Sequence, residues 1–447
     1  MKSRESKVKQ RGREITKYVV IFLVLGGIIL LFPRPQAIAK GKPIIFGAPL
    51  PLGDPTGVEA KRGAILAVEQ INREGGIRLP DGCHPVKLEI SDSRDLEPGV
   101  PVTEALLSVE RLILDKKARF IVSGPERSEA WLAAMRLSKK YKVIMIAAAG
   151  AYSPAIGAKI AEDPNGKYKY CWDVQNDART DVIHVIPLFK TFEKKWGWKK
   201  FYVMVQDVAH TRAAGAAVEK VLKKLGWQSL GMQRYPTGSN DFSLGLLEAK
   251  NKGADLIYIS FEMPQVSILM RQWAELKVPA LPIGLAPVAS AKEFWRVTKG
   301  ACEYFVANQF EAANGPAKPL NATTVKWFKG FVKRWRTEPG LHCGVPSYVS
   351  CWALKDAIER AGSTDPDKVV AALYKTDLSV PYGRLRFDAK SHKALVTDNP
   401  KTGMVTGWFQ WQKKGVYVRG LGVHTRRVFV WPPAAATGSL KRPPWKK

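Results

Sequence analysis

The sequence predicts an α/β protein with two Rossmann-like lobes, each built on a parallel sheet, and three observations lead to this class. The chain has 447 residues, which is more than one ordinary core needs. Short apolar runs alternate with amphipathic segments of helical length, a pattern typical of βαβ units. Two series of such units occur, joined near residues 155–175, and each series predicts one lobe.

The stretch of residues 120–154 is the clearest part of the first series. It contains two apolar runs separated by a helical pattern, and each run ends in a loop of small and hydroxyl residues, with Ser128 in the first loop and Tyr152 in the second. Ligands of parallel sheets bind outside the carboxyl ends of the strands. We therefore expect the two loops to lie together at one binding mouth.

The remaining elements follow from apolar periodicity and from glycines at helix ends. The predicted strands are residues 43–48, 86–91, 120–123, 143–149, 170–174, 201–205 and 255–261, with a turn and a strand within 380–388. The predicted helices are residues 60–71, 102–116, 130–137, 181–196, 212–225, 265–276, 325–336, 348–361 and 367–375. A hairpin is predicted from residues 408–412 and 416–419, which flank Lys413–Gly415, and a surface loop at 161–168.

The formal net charge of +30 has two possible explanations: an anionic partner, or a solvated basic surface that keeps the protein in solution. Lysines and arginines occur throughout the chain, and no basic run with interleaved aromatic residues forms a nucleic-acid groove. The sequence therefore predicts no nucleic-acid partner. Residues 431–447 form a basic, proline-rich tail that we expect to be loose.

Residues 1–39 have the three parts of a secretory signal: a basic segment, an uncharged apolar run at residues 18–32 and the A-x-A sequence Ala37-Ile38-Ala39. This pattern predicts export to the periplasm or another extracytoplasmic space. The apolar run is shorter than the ~20 residues of a membrane span, although an uncleaved anchor stays open as an alternative.

No motif for catalysis or for a bound cofactor is found. The chain lacks GxxxxGK[ST], GxGxxG and GxSxG, and it has no CxxC or HExxH spacing for a metal ion. We therefore predict a binding protein without enzymatic activity, cofactor or metal. Cys343 and Cys351 are close enough in sequence to form a disulfide, but the connectivity of the five cysteines stays open.

Four segments resemble the periplasmic binding proteins of type I fold, in the Leu/Ile/Val-binding branch. They are IIFGAPLPLGDPTG with AKRGAILAVEQINREGGI, VSGPERS with IMIAAAGAYSP, YVSCWALKDAIERAGSTDPDKVVAAL, and PYGRLRFD. Their order holds over residues 43–430. The resemblance implies two lobes joined by three crossovers, with the ligand in the cleft between them. It places lobe 1 at residues 43–172 and 299–377, and lobe 2 at residues 173–298 and 378–430.

The same resemblance implies the ligand-binding positions. In lobe 1 the family positions fall on or beside four residues: Thr56, Ser128, Ala151 and Tyr152. Arg127 adds a cation next to Ser128. In lobe 2 the family positions fall on or near three residues: Asp177, His210 and Phe261. Glu262 is adjacent to Phe261. Some of these residues have a structural alternative, as an N-cap for Ser128, as a core residue for Phe261, and as ion-pair members for Arg127 and Glu262.

The family's acid for a ligand ammonium group should lie near residues 285–286, where this chain has none. Glu262 or Asp177 could replace it, whereas Arg127 favours an anionic ligand. The ligand class therefore stays open between an amino acid and an organic carboxylate. The expected function is that of a monomeric solute receptor that delivers its ligand to an ABC permease in the membrane. The alternative is a membrane-anchored ligand-sensing module of the same fold.

Overall fold

The computed structural model describes residues 41–176 and 178–445. Its strands are β1 (Ile44–Leu50), β2 (Ile77–Leu79), β3 (Gly82–His84), β4 (Val86–Asp92), β5 (Phe120–Ile121), β6 (Ile144–Ala147), β7 (Cys171–Asp173), β8 (Lys200–Gln206), β9 (Gln228–Tyr235), β10 (Leu256–Ser260), β11 (Leu281–Leu285), β12 (Val306–Gln309), β13 (Leu378–Val380), β14 (Gly383–Leu385), β15 (Gly407–Val418) and β16 (Val423–Trp431).

The helices pack on both faces of the sheets formed by these strands. They are α1 (Pro55–Arg73), α2 (Val102–Leu114), α3 (Ser128–Tyr141), α4 (Ala155–Ala161), α5 (Ala178–Trp196), α6 (Ala209–Lys224), α7 (Ser243–Asn251), α8 (Val266–Glu275), α9 (Phe294–Val297), α10 (Ala322–Trp335), α11 (Gly344–Ala361) and α12 (Pro366–Leu373), with short 3-10 helices at Pro287–Ser290 and Ala312–Asn314.

The first sheet is parallel throughout, in the order β4-β1-β5-β6-β7. Alternate residues of β6 enter opposite cores, with Ile144 and Ile146 on one face and Met145 and Ala147 on the other. A strand that is buried on both faces must be apolar at every position, which is why this run shows no polar alternation.

The second sheet has the order β16-β15-β12-β11-β10-β8-β9 and is mixed. Strands β8 to β12 pair in parallel, whereas β15 is antiparallel to both β12 and β16. The prediction of two α/β lobes with parallel sheets is confirmed, and the antiparallel edge is an addition to it.

The predicted hairpin around Lys413–Gly415 is wrong. These residues lie inside the continuous strand β15, which pairs with β16 across a turn at residues 419–422. Gly415 has φ +60° and lies where the pairing register shifts, so the strand bends there instead of reversing. The predicted loop at 161–168 is also shorter than expected, since α4 includes Ala161.

The chain crosses between the two sheets three times: after β7, after β12 and before β15. The predicted lobe boundaries stay a prediction, and two segments differ from them in their packing. β12 pairs within the second sheet although residues 299–377 were assigned to lobe 1. Val380, Tyr382 and Leu385 pack in the core of the first sheet although residues from 378 were assigned to lobe 2.

The tail packs along the second sheet, so the expectation that it is loose is wrong for its described residues. Gln410 of β15 bonds the backbone of Lys441 at 2.7 and 2.8 Å, and the Trp445 indole donates to the Val278 carbonyl at 3.1 Å. All five cysteines are free, so no Cys343–Cys351 bridge is present. None of the described helices is long and apolar enough to cross a membrane, and the predicted signal at residues 1–39 lies outside the described residues.

Candidate ligand-binding site

The loops that follow β5 and β6 meet at one edge of the first sheet, as the sequence predicts. The Ala151 N–H donates to the Glu126 carbonyl at 2.5 Å. Gly150 has φ +67°, and a Cβ atom there would clash with the Glu126 side chain and carbonyl. A glycine is therefore required for the two loops to approach this closely.

A cluster of aromatic and ionisable side chains surrounds this junction. The rings of Tyr152 and Phe310 stack with centroids 4.6 Å apart, and His342 lies edge-on to both at 5.5 and 5.7 Å. We call the following residues the cleft cluster: Glu126, Tyr152, Phe310, Glu311, His342 and Cys343. They come from the β5 and β6 loops, from the second crossover, and from the segment that leads into α11.

Two carboxyl groups are buried in the cleft cluster. Glu126 Oε1 lies 3.6 Å from the Cys343 sulfur and 3.8 Å from His342 Nε2. Glu311 Oε2 accepts from Asn314 Nδ2 at 2.7 Å. Burial, reinforced by the nearby charge of Asp173, raises the pKa of Glu311 to about 8.

The hydroxyl of Tyr152 and the thiol of Cys343 share this environment. Their oxygen and sulfur atoms are 4.0 Å apart. Burial is the main cause that raises the pKa of both groups, and the negative charges of Glu126 and Glu311 add to it. Both groups therefore carry their protons at neutral pH when no cation is nearby.

Several buried acceptor oxygens around the cluster lack a partner, whereas one neighbouring side-chain donor, Arg127 Nε, lacks one in the same part of the chain. Within the described residues, these side-chain oxygens have no hydrogen-bond partner: Glu126 Oε2, Gln175 Oε1, Asn176 Oδ1, Gln309 Oε1 and Glu311 Oε1. The three amide nitrogens donate to the carbonyls of Gly150, Phe310 and Gly340, which fixes the amide orientations. Buried polar atoms ordinarily have partners, so this set predicts a ligand that donates hydrogen bonds.

The predicted lobe 1 residues lie close to this site but have local partners. The Arg127 N–H donates to Asp95 Oδ2 at 2.6 Å, and its guanidinium approaches the Val100 carbonyl at 3.4 Å. Arg127 is the N-cap residue of α3 and Ser128 its first residue, so Ser128 does not cap the helix. Thr56 bonds Asp54, the N-cap of α1, through both its hydroxyl and its N–H. Ala151 is buried, with φ +58°.

Of the predicted lobe 2 residues, His210 and Glu262 contact each other and Phe261 packs in the core. His210 Nδ1 and Glu262 Oε1 are 2.6 Å apart and share a hydrogen bond, so Glu262 has a local partner. Phe261 is fully buried against Tyr235 and Phe242, which is core packing. Asp177 lies outside the described residues. A ligand role for these residues and for those of lobe 1 stays a prediction.

Sequence reasoning missed five members of the cleft cluster and found only Tyr152. Glu126 carried a usable signal, since it is an acid in the same strand-end loop as Ser128. Phe310, Glu311, His342 and Cys343 carried none, because they lie in irregular segments far along the chain.

The chain belongs to the periplasmic binding protein family. The family's sequence profile matches residues 51–398, which is most of the chain. The two-lobed α/β fold agrees with this class, and the family implies an extracytoplasmic location.

Its relatives lie in the branch that binds branched-chain amino acids, which confirms the predicted resemblance. The leucine-, isoleucine-, valine-, threonine- and alanine-binding protein of Pseudomonas aeruginosa is 23% identical over 74% of this chain and 81% of its own length. A structure from Silicibacter pomeroyi, assigned to the branched-chain amino acid ABC transporters, has a TM-score of 0.76 at 17% identity and covers 90% of this chain and 100% of its own. A solute-binding protein of R. palustris in complex with benzoate has a TM-score of 0.64 at 15% identity, with coverages of 88% and 99%.

Proposed function

We propose that this chain is the solute receptor of an ABC importer, that it binds an α-amino acid in the cleft between its lobes, and that it delivers this ligand to a membrane permease. The excess of buried acceptor oxygens around Glu311 carries the proposal. An ammonium group offers three donors and a positive charge, which match acceptors that have no other partner. The names of the curated relatives support the same ligand class.

Glu311 is the proposed partner of the ligand ammonium. Its Oε1 atom is buried and has no hydrogen-bond partner among the described residues, while Oε2 is held by Asn314. The position differs from the one that the resemblance implies, near residues 285–286. A buried charge needs a partner of opposite sign, so the ligand ammonium and Glu311 would stabilise each other.

An organic carboxylate without an amino group is the second candidate. The benzoate complex of the R. palustris protein shows that this fold also holds such a ligand in a relative. In this chain, however, the Arg127 guanidinium is directed toward the Val100 carbonyl, and the cluster beside it contains two acids. The local charge therefore favours the amino acid.

Thermal-shift measurements with matched ligand pairs test the proposal. Leucine and 4-methylpentanoate differ only in the amino group, so we expect leucine or a similar amino acid to stabilise the protein and the amine-free acid to have no effect. At a concentration 100 times Kd, a specific ligand adds about 2.7 kcal/mol of stability. Stabilisation by the amine-free acids alone would reject the amino-acid assignment.

The variant Glu311→Gln tests the residue assignment by calorimetry. It should bind the amino acid about 10- to 100-fold more weakly, because the amide oxygen still accepts a hydrogen bond but no longer carries the charge that pairs with the ammonium. Glu275→Gln is the matched control, since Glu275 is exposed on α8 and should leave the affinity unchanged. Equal affinities of the two variants would exclude Glu311 as the ammonium partner.

A further inference from the structure

Three side chains of different chemistry converge at the inner edge of the cleft cluster. One ligand atom from each of Glu126, His342 and Cys343 lies within 4.8 Å of the others. Glu126 Oε1 is 3.6 Å from Cys343 Sγ and 3.8 Å from His342 Nε2. In a tetrahedral complex with bonds of 2.0–2.3 Å, ligand atoms are separated by about 3.3–3.7 Å. The two separations from Glu126 are therefore close to those of ligands that share one ion, and the third pair of ligand atoms lies within 4.8 Å.

Burial gives Glu126 a reason to bind a cation. Its side chain is only 6% exposed, and its Oε2 atom has no hydrogen-bond partner in the part of the chain that the structure describes. The basic side chain nearest to it in that part of the chain is His342, whose Nε2 atom lies 3.8 Å from Glu126 Oε1. A buried carboxylate without a full countercharge is costly, and a metal ion at this point would supply the missing positive charge.

The backbone holds the three groups in place without a ligand. Cys343 is the N-cap residue of α11 and has φ +81°, a conformation that side-chain-bearing residues rarely adopt. Such backbone strain often occurs at functional positions, where the surrounding structure enforces it. The Glu126 carbonyl is fixed by the Ala151 N–H, and the His342 ring packs against Tyr152 and Phe310.

We propose that Glu126, His342 and Cys343 bind one divalent transition-metal ion, with Zn²⁺ as the best match. Thiolate and imidazole ligands select zinc and its neighbours over calcium or magnesium. Three protein ligands leave a fourth tetrahedral position for water or a ligand atom. On binding, Cys343 releases its thiol proton to solvent, and the thiolate bonds to the metal. The metal proposal uses Glu126 as a ligand, whereas the partner proposed for the ligand ammonium is Glu311, so variants of these two residues test the two proposals separately.

Titration with Co²⁺ tests this site directly in the wild-type protein. The protein is reduced with a phosphine, treated with a chelator and desalted, and Co²⁺ is then added. We expect a near-ultraviolet thiolate-to-cobalt band together with the visible bands of a tetrahedral ion, saturating at one ion per chain and displaced by Zn²⁺. The absence of the thiolate band overturns the proposal, and this result does not depend on any variant.

Variants identify the ligands. Cys343→Ser should abolish the thiolate band, and Glu126→Gln and His342→Gln should each weaken Zn²⁺ binding at least about tenfold. Cys302→Ser is the matched control, since Cys302 is buried in the core of the second sheet, and it should bind Zn²⁺ like the wild type. Near-ultraviolet circular dichroism confirms that each variant is folded. An unchanged thiolate band in Cys343→Ser would assign the metal to another cysteine and reject this site.

Leucine binding is measured on the same chelator-treated protein, so that the two proposals fail separately. Amino-acid binding without a cobalt signal would reject only the metal site. A cobalt signal without amino-acid binding would reject only the proposed ligand class.

Discussion

At the scale of single residues, Glu311 has an effect on stability that is opposite to that of an ordinary surface acid. Its pKa is raised from 4.5 to about 8 in the folded protein, chiefly by burial. The folded state thus retains a proton that the unfolded chain releases near pH 4.5. Its contribution is fully present below pH 4.5 and is lost as the pH rises toward 8. The nearby charge that adds to this rise of the pKa is that of Asp173.

Glu311→Gln should therefore be more stable than the wild type at pH 8.5 and should lose most of this advantage at pH 5. At about 1.4 kcal/mol per pKa unit, the difference between the two pH values is on the order of 3–5 kcal/mol. Urea unfolding of both proteins at the two pH values measures it. Parallel pH profiles for wild type and variant would contradict the raised pKa.

His184 acts in the opposite pH range. Burial lowers its pKa from 6.5 to about 4, and its ring bonds Thr406 in the third crossover. Since the folded pKa is depressed, its contribution is present above pH 6.5 and is lost as the pH falls toward 4. We expect wild-type stability to fall over this range and His184→Gln to show a shallower slope in the same urea measurements.

At the scale of elements, the contact between α1 and α11 determines where Cys343 lies. A Cβ atom on Gly63 of α1 would clash with the carbonyl of Gly344, the first residue of α11. The two helix backbones therefore meet at a glycine, and this contact fixes the start of α11, which directly follows His342 and Cys343.

Gly63→Ala should destabilise the protein by about 1–3 kcal/mol, because the helices must separate to admit the methyl group. The same change should weaken Zn²⁺ binding by displacing Cys343. Gly157→Ala in α4 is the matched control: its Cβ would meet Ser391 at an ordinary 3.4 Å, so helix propensity should make it neutral or slightly stabilising. Thermal unfolding of both variants compares them, and equal destabilisation would refute the close-contact explanation.

At the scale of the whole molecule, hydrogen bonds tie the three crossovers to one another and to lobe 1. The Tyr382 hydroxyl donates to the Val174 carbonyl of the first crossover at 2.9 Å. The Ala312 N–H of the second crossover donates to the Val405 carbonyl of the third at 3.1 Å. Under the proposed function, closure of the lobes on a ligand would rotate these hydrogen-bonded segments together.

Tyr382→Phe should lower the free energy of unfolding by about 1–2 kcal/mol, because it leaves the buried Val174 carbonyl without this donor. Tyr417→Phe is the control, since Tyr417 is 58% exposed and should change stability little. Urea unfolding measures both. An equal loss of unfolding free energy in the control would show that the hydrogen bond from Tyr382 to the Val174 carbonyl makes no specific contribution to stability.

The sequence by itself determined the alternation of strands and helices, the two lobes, the family resemblance and the meeting of the loops after β5 and β6, because these depend on local periodicity and on strand-end loops. It failed at the edge of the second sheet, where the bend at Gly415 resembles a turn in sequence but lies within one strand. Only the tertiary structure placed Glu126 beside Cys343, 217 positions away along the chain, and buried Glu311 completely. No sequence motif or periodicity links residues so far apart, because the packing of α1 against α11 and the path of the crossovers bring them together.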